Sequence, residues 1–372
     1  MGALGDGEVR RLRARAQGLH GPGGRTVADA VRLAAGLQAQ DAKACRLQVR
    51  ARSRGLTAGD VDAACAARPP AVVRTWLMRG TLHAVAASDV RWLTALLGPR
   101  AADMYRGRRA RLGLDDDLLA RALPALERVL AGRALPRDAL VERLAEEGVA
   151  LDPRGQAPAH LLLYAAARGV VCRGPEAAAD AATYVLAEEW LDGVADAGPA
   201  GDEALAELAV RHATSYGPVS AADLARWSGL PATAARRAQA AAGDRLARVE
   251  SPRGPLLAAA GAASRVPPPG AVRMTGHFDP YLLGYRDRDL MLPPAIAPRI
   301  ATGGGFLMPC VLRDGAVAAT WRHERRGAAL TVRVESLTGE PDPALSEAIA
   351  AEVADIGRFL GMPATWEWTT GL

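Results

Sequence analysis

The chain has 372 residues, of which 49% are hydrophobic and 23% charged. That allows two to four globular domains with substantial cores and argues against wholesale disorder. Net charge is +5, carried almost entirely by arginine because Lys43 is the only lysine. A balance of this kind suits a nucleic-acid partner, but a GC-rich genome produces it too, so charge alone decides nothing.

Arg10, Arg11, Arg13 and Arg15 lie near the N-terminus with no apolar run behind them, unlike a signal peptide. The alanine-rich stretches are interrupted well short of the ~18 residues a membrane helix requires. The expectation is a soluble, cytoplasmic protein that contacts no membrane. Cys45, Cys65, Cys172 and Cys310 are far apart and form no CxxC pair, so they read as core residues, not as zinc ligands or disulfides.

In chain order, one pattern recurs about every 80 residues: helix, helix, helix, short strand pair. The first copy has helices near 7–18 and 27–35, the latter stopped by Gly36. A third helix starts after the N-cap Asp41 and ends at Gly55, and a short one follows over 57–67. Thr75–Met78 and Thr81–Val85 read as strands around Arg79-Gly80. The second copy has helices near 116–131, 136–147 and 156–168, with strands Val170–Arg173 and Thr183–Ala187. The third has helices near 202–216, 220–228 and 231–242, then Leu246–Glu250 and Leu256–Ala259 around a Pro252-Arg253-Gly254 turn. Helices followed by a hairpin make the winged-helix plan, which serves DNA binding in some proteins and protein contacts in others.

After the stiff Pro267-Pro268-Pro269 linker the pattern changes. Phe306–Leu312 and Ala316–Arg322 flank Asp314-Gly315, a strong two-residue hairpin signal, and Ala328–Val334 follows through a turn over His323-Glu324-Arg325-Arg326-Gly327. A helix near 342–360 precedes Trp366 and Trp368. The whole is an α+β protein: winged helices over 1–112, 113–198 and 199–266, and a β-rich region with hairpins over 267–372.

The sequence has no HExxH, GxSxG or P-loop, nor a GxGxxG opening a helix after a strand. The six histidines are scattered singly. Gln38-Ala39-Gln40 lies between two helices. In an extended segment residues two apart face the same side, so both amides can point into one groove; the alternative is a solvated polar turn. On the next helix Lys43, Arg46, Arg50 and Arg54 recur every three or four residues, a stripe that is either solvated or set against phosphates. Arg106, Arg108, Arg109 and Arg111 form a second basic run, read as loop or disorder.

Three stretches carry a resemblance. They are Gly36-Leu37-Gln38-Ala39-Gln40, Trp76-Leu77-Met78-Arg79-Gly80-Thr81-Leu82-His83, and Phe278-Asp279-Pro280-Tyr281-Leu282-Leu283-Gly284-Tyr285-Arg286-Asp287-Arg288, continuing through Asp314-Gly315 to Trp321. Together and in this order they resemble the winged-helix DNA glycosylases of the AlkZ and YcaQ type. The resemblance implies three winged helices in a C shape around a DNA channel and a catalytic glutamine, one residue, then glutamine or aspartate. Gln38 and Gln40 match the double-glutamine form, similar to the branch that unhooks interstrand crosslinks, including the self-resistance glycosylase of azinomycin producers.

The implied partner is double-stranded DNA carrying alkylpurine adducts or crosslinks. The residues expected at it are Lys43, Arg46, Arg50, Arg79, His83, Arg236, Arg237, Arg322, His323, Arg325 and Arg326. The turn at Arg325-Arg326 would probe the minor groove. An open groove is expected in place of a base-flipping pocket, because a crosslinked base is tethered to both strands. Lys43 suits a phosphate contact better than Schiff-base chemistry. A monomer is expected, with no metal and no cofactor. Two other readings of the same winged helices are a non-enzymatic transcriptional regulator and a protein-binding scaffold.

Overall fold

Short polar side chains set where the helices begin. Asp41 accepts from the Ala44 amide at 2.9 Å to open Ala42–Ala51, and Asp115 from the Leu118 amide at 2.8 Å to open Asp116–Leu130. Asp342 does the same for Pro343–Leu360, accepting from Leu345 at 2.7 Å. At Val27–Leu33, Thr26 and Asp29 cap one another reciprocally. These contacts belong to a computed structural model that describes residues 3–195, 198–303, 305–340 and 342–369. The fold is mixed α+β, in two compact units: one of Met1–Val61, Ala206–Trp227 and Pro231–Leu372, the other of Asp62–Leu205 and Ser228–Leu230.

In the second of these units, helices Asp116–Leu130, Arg137–Glu146 and Ala157–Ala167 enclose a core. Leu119, Ala122, Leu126 and Leu130 point inward at helical spacing to meet Leu140, Leu144, Leu161 and Leu162. Five antiparallel strands lie in the order Leu82–Ala86, Val72–Trp76, Val171–Arg173, Thr183–Leu186, Leu135–Pro136. One long element was not anticipated from sequence, the helix Val90–Met104, which has Pro99 inside it. It approaches the Ala157–Ala167 helix so closely that a Cβ on Gly98 would sit 2.1 Å from the Ala167 carbonyl oxygen. The basic run expected as loop or disorder is the helix Arg106–Arg111. It forms because Arg109 is buried, its guanidinium 4.6 Å above the Tyr164 ring and bonded to the Ala102 carbonyl at 2.6 Å.

The other unit holds Asp6–Ala16, Val27–Leu33, Ala42–Ala51, Ala221–Ser228 and Ala232–Ala242, with a two-stranded sheet of Leu246–Val249 and Leu256–Ala259 bridged to Val219. Its five-stranded sheet runs Ala364–Trp368, Ala329–Ser336, Ala316–Arg326, Cys310–Arg313, Val272–Thr275. The Pro343–Leu360 helix covers one face, with Leu345, Ile349, Val353 and Ile356 packed on Val332, Val334 and Trp321. Asp314 and Gly315 make the hairpin turn at φ 51° and 76°, the left-handed pair such a turn demands. The next connection differs from expectation. His323, Glu324, Arg325 and Arg326 are strand residues paired with Val332, Thr331, Leu330 and Ala329, so only Gly327 and Ala328 turn. In this ribbon the first strand is largely exposed and charged from Arg322 onward, while its partner keeps Leu330 and Val332 in the core and pairs on its other side with Ala364–Trp368.

Among the described residues no helix is long and apolar enough to cross a membrane. No group of three or more His, Cys, Asp or Glu is placed to hold a metal. The four cysteines are free.

Candidate active site

The helix Val27–Leu33 is stopped by two left-handed residues, Ala35 (φ 47°) and Gly36 (φ 113°), with the Gly36 amide returning to the Val31 carbonyl at 3.1 Å. Leu37 and Gln38 are therefore extended, and Asp41, three residues after Gln38, opens the next helix. An extended backbone puts Gln38 and Gln40 on one side, and their side chains meet: Gln38 Nε2 donates to Gln40 Oε1 at 2.6 Å. Gln38 is 8% exposed, whereas Gln40 opens to solvent.

A third glutamine holds this pair. Gln48, fully buried on the Ala42–Ala51 helix, donates through one Nε2 to the Gln38 carbonyl at 3.2 Å and to the His277 carbonyl at 3.1 Å. The segment His277-Phe278-Asp279 is thereby bound to the back of the glutamine loop. Asp279 anchors its far end in a bidentate pair with Arg52, at 2.7 and 2.9 Å, while Arg52 also donates to Gln17 at 2.8 Å. Both charges are essentially sealed, at 0% and 2% side-chain exposure. Gly276 is the point of closest approach to the helix: an added Cβ would lie 3.1 Å from Leu47 Cβ.

The structure corrects two of the residues expected to bind DNA. Arg50 is 1% exposed and turned inward, donating to Asp355 and Glu352 at 2.8 Å each and to the Met274 carbonyl at 3.0 Å. The helix face it occupies packs on the sheet, so the stripe from Lys43 to Arg54 is broken in its middle. His83 is 3% exposed in a strand whose five residues are all buried, with Nδ1 2.9 Å from the Thr81 carbonyl. Burial, and then the nearby Arg79 charge, lower its pKa to about 3, so it is neutral and unsuited to a phosphate.

The remaining expected residues divide by position. Lys43 is exposed one helical turn from Gln40, and Arg46 is half-buried beyond it. His323 stacks beside Trp321, ring centroids 5.7 Å apart, and burial, His277 and Lys43 all depress its pKa. His277 and Lys43 thus lie within electrostatic reach of His323, and His277 is tied through Gln48 to the glutamine loop. Arg322, Arg325 and Arg326 are exposed on the ribbon. Glu324 pairs with Arg326 at 3.3 Å and with Arg333 at 2.8 Å, while Arg322 and Arg325 have no carboxylate partner among the described residues. Arg236 and Arg237 are exposed on Ala232–Ala242, and Arg79 is half-buried at φ 56° in the other unit. Sequence reasoning assigned no role to Gln48, Arg52, His277, Asp279 or Phe306. Phe278 and Asp279 stood inside a quoted motif, but what they touch is remote in sequence.

Residues 31–359 match the family described as DNA glycosylase AlkZ-like. The chain belongs to the AlkZ-like DNA glycosylases. An interstrand DNA cross-link repair glycosylase of Streptomyces sahachiroi is 27% identical over 307 residues, spanning 80% of this chain and 82% of that protein. The solved structure of the Streptomyces sahachiroi DNA glycosylase AlkZ superposes with a TM-score of 0.82 at 24% identity, over 98% of this chain and all of that one, which shows a shared fold. This AlkZ-like protein is accordingly an enzyme of DNA repair that hydrolyses N-glycosidic bonds, and the regulator reading is not favoured.

Proposed function

We propose that this AlkZ-like glycosylase releases cationic N7- or N3-alkylpurines, including those held in interstrand crosslinks, with Gln38 and Gln40 as its catalytic residues. The observation that carries the reading is the 2.6 Å bond between the two amides at the solvent edge of a loop fixed by Gln48. Alkylation gives the purine a positive charge, so the base leaves neutral and needs no general acid. What remains is an electron-poor sugar and an attacking water. Gln38 orients Gln40 Oε1, whose second lone pair can hold that water and turn a dipole toward the developing cation. An amide barely accepts a proton at neutral pH, so neither glutamine serves as a strong base. The name of the Streptomyces sahachiroi relative, an interstrand DNA cross-link repair glycosylase, supports a crosslinked substrate.

The finer reading of the fold is three winged helices over 1–112, 113–198 and 199–266. Two element orders support it: helix, strand, helix, helix and hairpin at 116–186, and three helices and a hairpin at 201–259. Lys43, Arg46, Arg79, Arg236, Arg237, Arg322, His323, Arg325 and Arg326 are proposed to meet duplex DNA, with the ribbon in the minor groove.

The test is base release from duplexes carrying N7-methylguanine or an N7-linked crosslink. Gln38→Ala and Gln40→Ala should each lose about 10²–10³-fold in rate while binding DNA as well as wild type. Borohydride should trap no covalent adduct on Lys43. Efficient excision of uracil, a neutral lesion, or full activity in both alanine variants would overturn the assignment.

A further inference from the structure

Beside the glutamines stands an aromatic cluster with an unusual backbone. Phe278 has φ 55°, a left-handed conformation that a bulky side chain adopts only where its surroundings enforce it. Both flanks supply that enforcement: the Gln48 bond to the His277 carbonyl on one side and the sealed Arg52–Asp279 pair on the other. His277 Nδ1 and the Phe278 amide converge on the Leu307 carbonyl, at 3.1 and 3.4 Å, which brings in the short strand Phe306–Leu307. Three rings are thus gathered. Phe278 and Phe306 meet edge to face at 5.0 Å between centroids, and His277 lies 5.0 Å from Phe306 and 6.2 Å from Phe278.

Phe306 is 39% exposed, one of two large hydrophobic side chains so exposed among the described residues. Its strand is joined through the Leu307 carbonyl to His277 and Phe278, and the Gln48 nitrogen that holds the His277 carbonyl also holds the Gln38 carbonyl. An aromatic ring kept open to solvent beside a base-releasing site has a fitting occupant, a nucleobase. Every base offers a π-face, and a ring quadrupole attracts a positively charged one more strongly than a neutral one.

We propose that Phe306, braced by Phe278 and His277, is the stacking surface for the damaged base and discriminates in favour of the cationic purine. The inference rests on the Gln38–Gln40 reading of the site and adds a recognition element to it. The glutamines act on the sugar and water, whereas the ring selects the base by its charge.

The test separates binding from chemistry. Duplexes are made with 2′-fluoro-N7-methylguanosine, whose fluorine blocks cleavage, or with 2′-fluoroguanosine in the same sequence, and the ratio of the two affinities is measured for each variant. Wild type should prefer the methylated duplex. Phe306→Ala and Phe306→Leu should lose about tenfold of that preference, because leucine keeps the bulk but has no π-face, and Phe306→Trp should retain it. Unchanged affinity for the unmodified duplex checks the fold of each variant. A leucine variant equal to wild type overturns the proposal, as does an equal loss on both duplexes or the absence of any wild-type preference. If Gln38→Ala still releases base while these ratios behave as expected, the catalytic reading fails and the stacking surface stands; the reverse pattern removes only the stacking surface.

Discussion

Arg50 and Arg54 are four residues apart and identical in chemistry, yet one, on the Ala42–Ala51 helix, is sealed against Glu352 and Asp355 and the other, beyond the helix end, is exposed. Burial with full pairing is what makes Arg50 structural. Glu352 keeps Arg273 at 3.0 Å and Asp355 keeps Arg358 at 2.6 Å, so removing Arg50 weakens a buried network without stranding its carboxylates and costs less than the about 3–5 kcal/mol of a fully broken buried pair. Arg50→Met should therefore lower the urea midpoint without altering the salt dependence of DNA binding by the folded fraction. A variant of wild-type stability and weakened salt dependence would return Arg50 to the DNA surface. The same logic separates Gln48 from Gln38 and Gln40. All three are glutamines in an 11-residue stretch, but Gln48 is spent on two backbone carbonyls, and only the loop pair reaches solvent.

At the scale of the element, the ribbon built from Ala316–Arg326 and Ala329–Ser336 keeps Leu330 and Val332 in the core almost to its turn, while Arg325 and Arg326 opposite are exposed. Its tip carries Arg325, unpaired with any described carboxylate, and Arg326, which shares Glu324 with Arg333. An unpaired arginine that meets a phosphate releases about one counterion, whereas a paired one must first give up its carboxylate. Arg325→Ala is expected to reduce the log–log salt slope of DNA affinity by about 1, and Arg326→Ala by less. Equal effects, or none from Arg325, would place the tip away from the phosphates. The turn itself was legible in part. His323 to Gly327 read together as the turn, but the first four are strand residues, unmarked because their strand is exposed and shows no apolar alternation while Leu330 and Val332 opposite supply the core.

For the molecule as a whole, two sealed histidines govern behaviour in acid. His212 is fully buried between Tyr216 and Trp227, with ring centroids 5.1 Å away in each case. Burial is the largest influence on it; Arg13 pushes its pKa in the same direction, Asp223 opposes, and the result is about 3. His83 is lowered to about 3 as well. Each is free to take a proton in the unfolded chain near the ordinary value of 6.5, so between pH 6.5 and 3 the unfolded state binds more protons than the folded one. Stability then falls as pH drops through that window, by up to about 1.4 kcal/mol per unit for each histidine. Urea titrations from pH 7 to pH 5 should show the decline, and His212→Phe, which keeps the aromatic stack, should flatten it. An unchanged slope in that variant would mean that His212 is protonated in the folded protein.

The periodic apolar residues and the caps were enough, by themselves, to locate most elements. Asp41 begins a helix as the cap it was read to be, and Asp115 and Asp342 open the helices expected near 116 and 342, because capping is a bond between a side chain and the amide three residues on and needs no tertiary partner. The extended form of Gln38-Ala39-Gln40 was legible from Gly36 before it and Asp41 after it, although tertiary contacts through Gln48 hold it in place. Fates that depend on distant residues were decided by tertiary structure alone. Arg50 meets residues some 300 positions away, Arg52 meets Asp279 across 227, and Gln48 ties Gln38 to His277 across 229. Burial of charge is a property of what the fold brings together, and no spacing within one helix encodes it.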